Sequence, residues 1–66
     1  MRVNWFSPLP PAATGVAVAS AAVIPALASR AELEIWTDQQ EWDTAIGQYG
    51  PTHYFQAGQM PWRRVN

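Results

Sequence analysis

The chain of 66 residues contains no cysteine and no lysine, and its only histidine is His53. Without cysteine there is no disulfide framework and no thiolate metal site. One histidine and scattered carboxylates do not make a metal cluster of the usual ligand chemistry. The four cations are all arginine, the formal net charge is −1, and Arg63-Arg64 is the only basic pair. Nucleic-acid binding rests on clustered cations, so that class is excluded. A chain of this length holds at most one small domain, and such a domain buries only about 60% of the surface its unfolded chain exposes. With neither disulfides nor a metal to brace it, marginal stability or a missing partner is expected.

What the chain does have is a hydrophobic content of 48%, six prolines and four tryptophans. The apolar share is that of an ordinary globular domain and argues against disorder. The apolar, small and uncharged run Gly15 to Ser29 (GVAVASAAVIPALAS) is too short for a bilayer span, which needs roughly 20 apolar residues. It ends in Ala26-Leu27-Ala28, an A-x-A pattern of the kind found at signal-peptide cleavage sites. Against a signal segment stand the single Arg2 and the tryptophan, phenylalanine and prolines ahead of the run. A buried helix is the main expectation. A small secreted or membrane-associated accessory protein with a signal segment ending near Ala28 is the alternative.

Arg2 to Phe6 (RVNWF) carries β-branched and aromatic residues and predicts a strand. Pro8, Pro10 and Pro11 lack the donors that a strand needs and end it near Phe6. A helix is expected from Thr14, with Thr14 as N-cap. Val16, Ala19, Val23 and Leu27 recur at steps of three and four and predict its inner face, widened by Ile24. Pro25 removes one helical hydrogen bond, at about 3 kcal/mol in a free helix, and predicts a bend near Ala21 to Pro25. Arg30 suits the negative pole of the helix end.

Glu32 to Thr37 (ELEIWT) alternates and predicts a second strand, with Glu34 and Trp36 on its wetter face. Asp43 is placed to cap a short helix running to Tyr49, where Gly50-Pro51 stops it. His53 to Phe55 predicts a third short strand. Met60 to Asn66 is expected to begin an element that the chain does not complete. The fold class is therefore α/β, built on a β-α-β unit with parallel strands. One such unit leaves sheet edges and a helix uncovered, so residues 1–66 are expected to be an incomplete domain.

The segment Asn4-Trp5-Phe6-Ser7-Pro8-Leu9-Pro10-Pro11, with Thr14-Gly15-Val16-Ala17, resembles the opening of bacterial GT-B glycosyltransferases of the family 4-like (group 1) kind. The likeness continues through Ile24-Pro25-Ala26-Leu27, Trp36-Thr37-Asp38, Glu41-Trp42-Asp43 and Met60-Pro61-Trp62. It implies a partial Rossmann-like N-terminal, acceptor-side domain, with the C-terminal donor-binding domain absent. The parent would be a cytoplasmic enzyme, in peripheral contact with the inner face of the membrane. It would move a sugar from a nucleotide-sugar donor to an acceptor without a further cofactor, and the fragment alone would be inactive. Within the fragment, the resemblance points to Thr14, Gly15 and Val16 as backbone ligands of the donor diphosphate. Free amides at a helix N-terminus favour an anion. A simple helix cap at Thr14-Gly15 is the competing expectation. Relatives often carry Asp-Tyr where this chain has Val18-Ala19, so an acceptor contact made by those side chains would be missing.

Other residues have local readings. Asp38 follows the second strand, where dinucleotide-binding folds place a ribose-binding acid, but the glycine fingerprint is lacking and a turn residue is favoured. His53 is expected to be structural or exposed rather than an acid or base. Trp5 is expected in the core, as an anchor. Glu41 and Asp43, in one polar turn, are expected to be solvated rather than a glycosidase pair.

Overall fold

The computed structural model describes residues 1–12 and 14–65; Ala13 of the proline-rich loop and Asn66 lie outside it. Three parallel strands form one open sheet in the order β1-β2-β3: β1 (Arg2–Phe6), β2 (Glu32–Thr37) and β3 (Thr52–Tyr54). Helix α1 (Gly15–Ala28) connects β1 to β2, and a 3₁₀ helix (Thr44–Gln48) lies between β2 and β3. The first two strands have the expected bounds. The third starts one residue earlier and ends one residue earlier than expected. Met60 to Val65 forms turns that fold back on themselves, with Arg64 N–H and Val65 N–H both donating to the Pro61 carbonyl.

The β1–β2 register pairs Arg2 with Glu32 and Phe6 with Trp36. Alternation then gives the sheet two unlike faces. Val3, Trp5, Leu33 and Ile35 point towards α1. The core is Leu9, Ile24, Leu33, Ile35 and Ile46, with Val3, Trp5, Leu27, Ala28, Trp42 and Tyr49 packed against it. Leu9 and Ile46 come from connections, so the loops close the core that one helix cannot cover.

Helix α1 buries only part of the expected face: Ile24 and Leu27 pack in the core, but Val16, Ala19 and Val23 are exposed. Ala17, Ser20 and Ile24 are buried, whereas Val16 and Val18 are exposed and Val23 is 39% exposed. The helix is apolar almost all round, so spacing alone gives it no unique phase. Small Ala17 and Ser20 let its axis approach the sheet, and Ile24 fills the space one turn on. Ser20 also has specific partners. Trp5 Nε1–H donates to Ser20 Oγ (3.0 Å), and Ser7 Oγ–H donates to the Pro8 carbonyl (2.7 Å). Since Ser7 Oγ also meets Ser20 Oγ, the remaining hydroxyl hydrogen must be that of Ser20, given to Ser7. One ordered chain of donors thus ties β1, the loop and α1 together. Ser20→Ala leaves the Trp5 donor and the Ser7 acceptor unpaired. The expected cost is about 1–3 kcal/mol, read as a lower urea midpoint at constant m-value. An unchanged midpoint would mean that water replaces the hydroxyl at no cost.

The helix continues as one element through Pro25. The missing donor costs only the bond to Ala21, and the turn recovers at Ser29, whose N–H reaches the Pro25 carbonyl (3.2 Å). Ala26-Leu27-Ala28 is the last helical turn, with Leu27 and Ala28 against the core.

The outer face of the sheet is polar at its start and aromatic at its end. Arg2 pairs with Glu32 (3.6 Å) and Glu34 (3.9 Å), and Glu34 Oε1 also lies 2.9 Å from His53 Nε2. Beyond them Trp36 stacks on Phe6, with centroids 5.7 Å apart, and tilts against His53 at 4.4 Å. Trp36 was expected to be wet, yet it is only 2% exposed. Phe6 and His53 flank it, Arg64 lies 5.2 Å over its ring, and its indole N–H donates to Asn4 Oδ1. Among the described residues no helix is long and apolar enough to cross a membrane.

Candidate ligand-binding edge of the sheet

Because the three strands are parallel, their carboxyl ends Phe6, Thr37 and Tyr54 lie along one edge. In open α/β sheets, ligands bind outside that edge. The connections after β1 and β2 build it, and one side chain stitches them together. Gln39 Oε1 accepts from Leu9 N–H and Gln39 Nε2 donates to the Leu9 carbonyl, both at 2.9 Å. The amide therefore imitates a strand neighbour for a loop whose prolines have no donors. A backbone bond from Asp43 N–H to the Pro10 carbonyl (2.7 Å) makes a second stitch.

Two concavities result. The smaller, about 220 Å³, is lined by Phe6, Ser7, Pro8, Asp38 and Phe55. Asp38 is thus turned to the edge of the sheet, beyond the end of β2. The larger is a groove of about 640 Å³ between Pro10-Pro11 and the Gln40–Thr44 segment, with Trp42 in its wall.

Thr14, Gly15 and Val16 are all exposed at the start of α1. Thr14 is the N-cap: its Oγ1 accepts from Ala17 N–H (3.1 Å), and its carbonyl accepts from Val18 N–H (3.1 Å). The hydroxyl acceptor is therefore committed to the helix, while the first two residues of α1 are exposed. A Cβ on Gly15 would meet nothing within 4 Å. Packing inside the chain does not require glycine at that position. Val18 and Ala19 are likewise exposed.

The carboxylates of the polar turn separate by role. Asp43 Oδ1 accepts from Ala45 N–H (3.0 Å) and caps the 3₁₀ helix, as its position in the sequence suggested. Glu41 is exposed on the groove. His53 is not brought to this edge by a partner there; its ring bonds Glu34 on the outer face. That pairing was missed from sequence, because Glu34 and His53 lie 19 residues apart and meet only through the register of β2 with β3. The only sequence signal was a shared strand parity. Among the described residues no group of three His, Asp or Glu side chains gathers as a metal site would require. Compared with known protein families, with curated proteins and with solved structures, the chain matches none.

Proposed function

We propose that this chain is the opening unit of the N-terminal domain of a GT-B glycosyltransferase, and that the start of α1 holds the diphosphate of a nucleotide-sugar donor. The observation that carries the proposal is the strand order. In a doubly wound sheet of order 3-2-1-4-5-6, the first three strands stand as β3-β2-β1, all parallel. β1 then lies at an edge open to a fourth strand, and the ligand crevice opens beyond its carboxyl end. Here β1 is one of the two edge strands, and the loop beyond it leads into the exposed N-terminus of α1. One further feature agrees. An all-round apolar helix normally has neighbours on both sides, and the exposed Val16, Val18 and Val23 lack them.

In this role the amides of Gly15 and Val16, with the helix dipole behind them, take up negative charge as the diphosphate leaves the sugar. The Thr14 hydroxyl, an acceptor towards Ala17, keeps its hydrogen for a phosphate oxygen. No residue of this chain is assigned to the bond-breaking step, which is the task of residues that face it across the cleft. The acceptor binds on this side of that cleft, and the parent works at the inner face of the membrane.

Titration of the nitrogen-15-labelled chain with inorganic pyrophosphate tests the diphosphate site. Chemical-shift changes centred on Gly15 and Val16, saturating at millimolar concentration, are expected for a single helix N-terminus. Changes centred on Arg63 and Arg64, or on no common surface, would overturn it.

A further inference from the structure

The larger groove does not belong to the diphosphate site, and its chemistry is different. Pro10, Pro11 and Trp42 make it apolar, and Glu41 and Asp43 stand on it. Neither carboxylate has an ion pair among the described residues. A volume of about 640 Å³ lies in the range of pockets that bury whole organic ligands. An occupant that fits is flat and apolar, with a cation beside it.

The same chain displays that combination. Trp62 is 70% exposed and Met60 43% exposed. Arg63 adjoins Trp62, is exposed, and has no ion pair among the described residues. The segment that carries them is held in place. Arg64 donates to the Tyr54 carbonyl (3.0 Å) and lies over Trp36, and turns at Pro61 close the backbone. Trp62 is thus presented outward and does not occupy the groove of its own molecule.

We infer that the groove between Pro10-Pro11 and Trp42 is a docking site for the Trp62-Arg63 segment of a second copy of this chain. Trp62 lies against the prolines and Trp42, and Arg63 meets Glu41. The indole brings the apolar area that anchors small interfaces, and the ion pair sets its orientation. Such a contact joins two different patches. It is heterologous, so copies add head to tail into rings or open chains. It is independent of the sugar-transfer proposal.

Sedimentation velocity of the 66-residue chain tests it. The sedimentation coefficient is expected to rise between about 10 µM and about 1 mM, as suits a small contact. Trp62→Ala and Glu41→Arg, both at exposed positions, should each weaken association by on the order of tenfold. Arg63→Glu should do the same, while the double variant Glu41→Arg with Arg63→Glu on one chain should associate again through the reversed pair. A chain that stays monomeric throughout that range would overturn the inference. So would association that ignores Trp62→Ala and is lost with Val18→Ser on α1. A concentration-independent monomer with Trp62 protected from quenching would place the segment in its own groove, and would overturn it too.

Discussion

Gly50→Ala is expected to leave the chain largely unfolded. A Cβ built at Gly50 falls 2.2 Å from the carbonyl oxygen of Leu33 and 3.1 Å from its carbonyl carbon. Both atoms are backbone, so no side chain can turn aside to relieve the clash. Their strand, β2, is the central one and pairs with β1 and β3. The neighbouring Pro51 carbonyl accepts from Ile35 N–H (2.9 Å), so moving the turn outward also breaks the entry to β3. Overpacking costs typically about 1–3 kcal/mol, and a backbone obstacle places this case at or above the upper figure. A small domain has little to spare: at ordinary stabilities per residue, a chain of this length would have roughly 3–10 kcal/mol in all. Gly47→Ala is the control, because a Cβ there meets nothing within 4 Å. Urea titration followed by far-ultraviolet circular dichroism should show a clear transition for the wild type and Gly47→Ala, and little or none for Gly50→Ala. A Gly50→Ala midpoint equal to that of the wild type would mean that the 3₁₀ helix and β2 are not packed as described.

Trp36→Ala is expected to cost about 3–5 kcal/mol, the usual range for removing a large buried aromatic side chain. The side chain is 2% exposed although it stands on the sheet face that α1 does not cover. It is also a hub. Phe6 stacks on it, His53 tilts against it, Asn4 accepts from its indole, and Arg64 lies over it. Truncation removes these contacts together and leaves Asn4 Oδ1 without this donor. The turns that end the chain should loosen as well, since the Arg64 side chain would lose the ring beneath it while keeping its bond to the Tyr54 carbonyl. Trp62→Ala, at a position 70% exposed, should shift the urea midpoint of dilute protein by less than about 0.5 kcal/mol equivalent. Similar midpoints for the two variants would show that the outer aromatic cluster contributes nothing to the fold.

The outer face bears directly on what this unit can join. Strands of a sheet covered on both sides read as nearly continuous apolar runs. Here Arg2, Glu32, Glu34 and His53 keep the first half of the outer face suited to water, and only the second half is apolar. Trp36 in that half is already covered by Arg64 and is 2% exposed, so Phe6 and Phe55 are what remains of the apolar surface near the carboxyl edge. The exposed valines of α1 and the edge strand β1 are further surfaces open to a neighbour.

Much of this was legible locally. Pro8 ended β1, the alternation in Glu32–Thr37 marked β2 to the residue, and Thr14 and Asp43 capped the two helical segments as their short polar side chains allow. Gly50-Pro51 marked the end of the 3₁₀ segment, although the close approach to Leu33 that requires the glycine was not visible. The proposal of a diphosphate site at Thr14, Gly15 and Val16 rests on a resemblance and a helix start. The structure adds the cap bond and the open space around Gly15.

By itself, the sequence determined where elements begin and end, because those signals are backbone chemistry: a missing proline donor, a capping oxygen, an alternation of side chains. It also determined that the pattern is α/β. Only the tertiary structure decided which side of α1 is buried, because a helix apolar all round has no preferred phase until Ser20 finds Trp5 and Ser7. Only the register of β2 and β3 brought His53 to Glu34, and only the folding back of the chain hid Trp36 under Arg64. Gln39 became the clasp of the β1 loop for the same reason: its amide matches a backbone lying 30 residues away, and no local pattern records that distance.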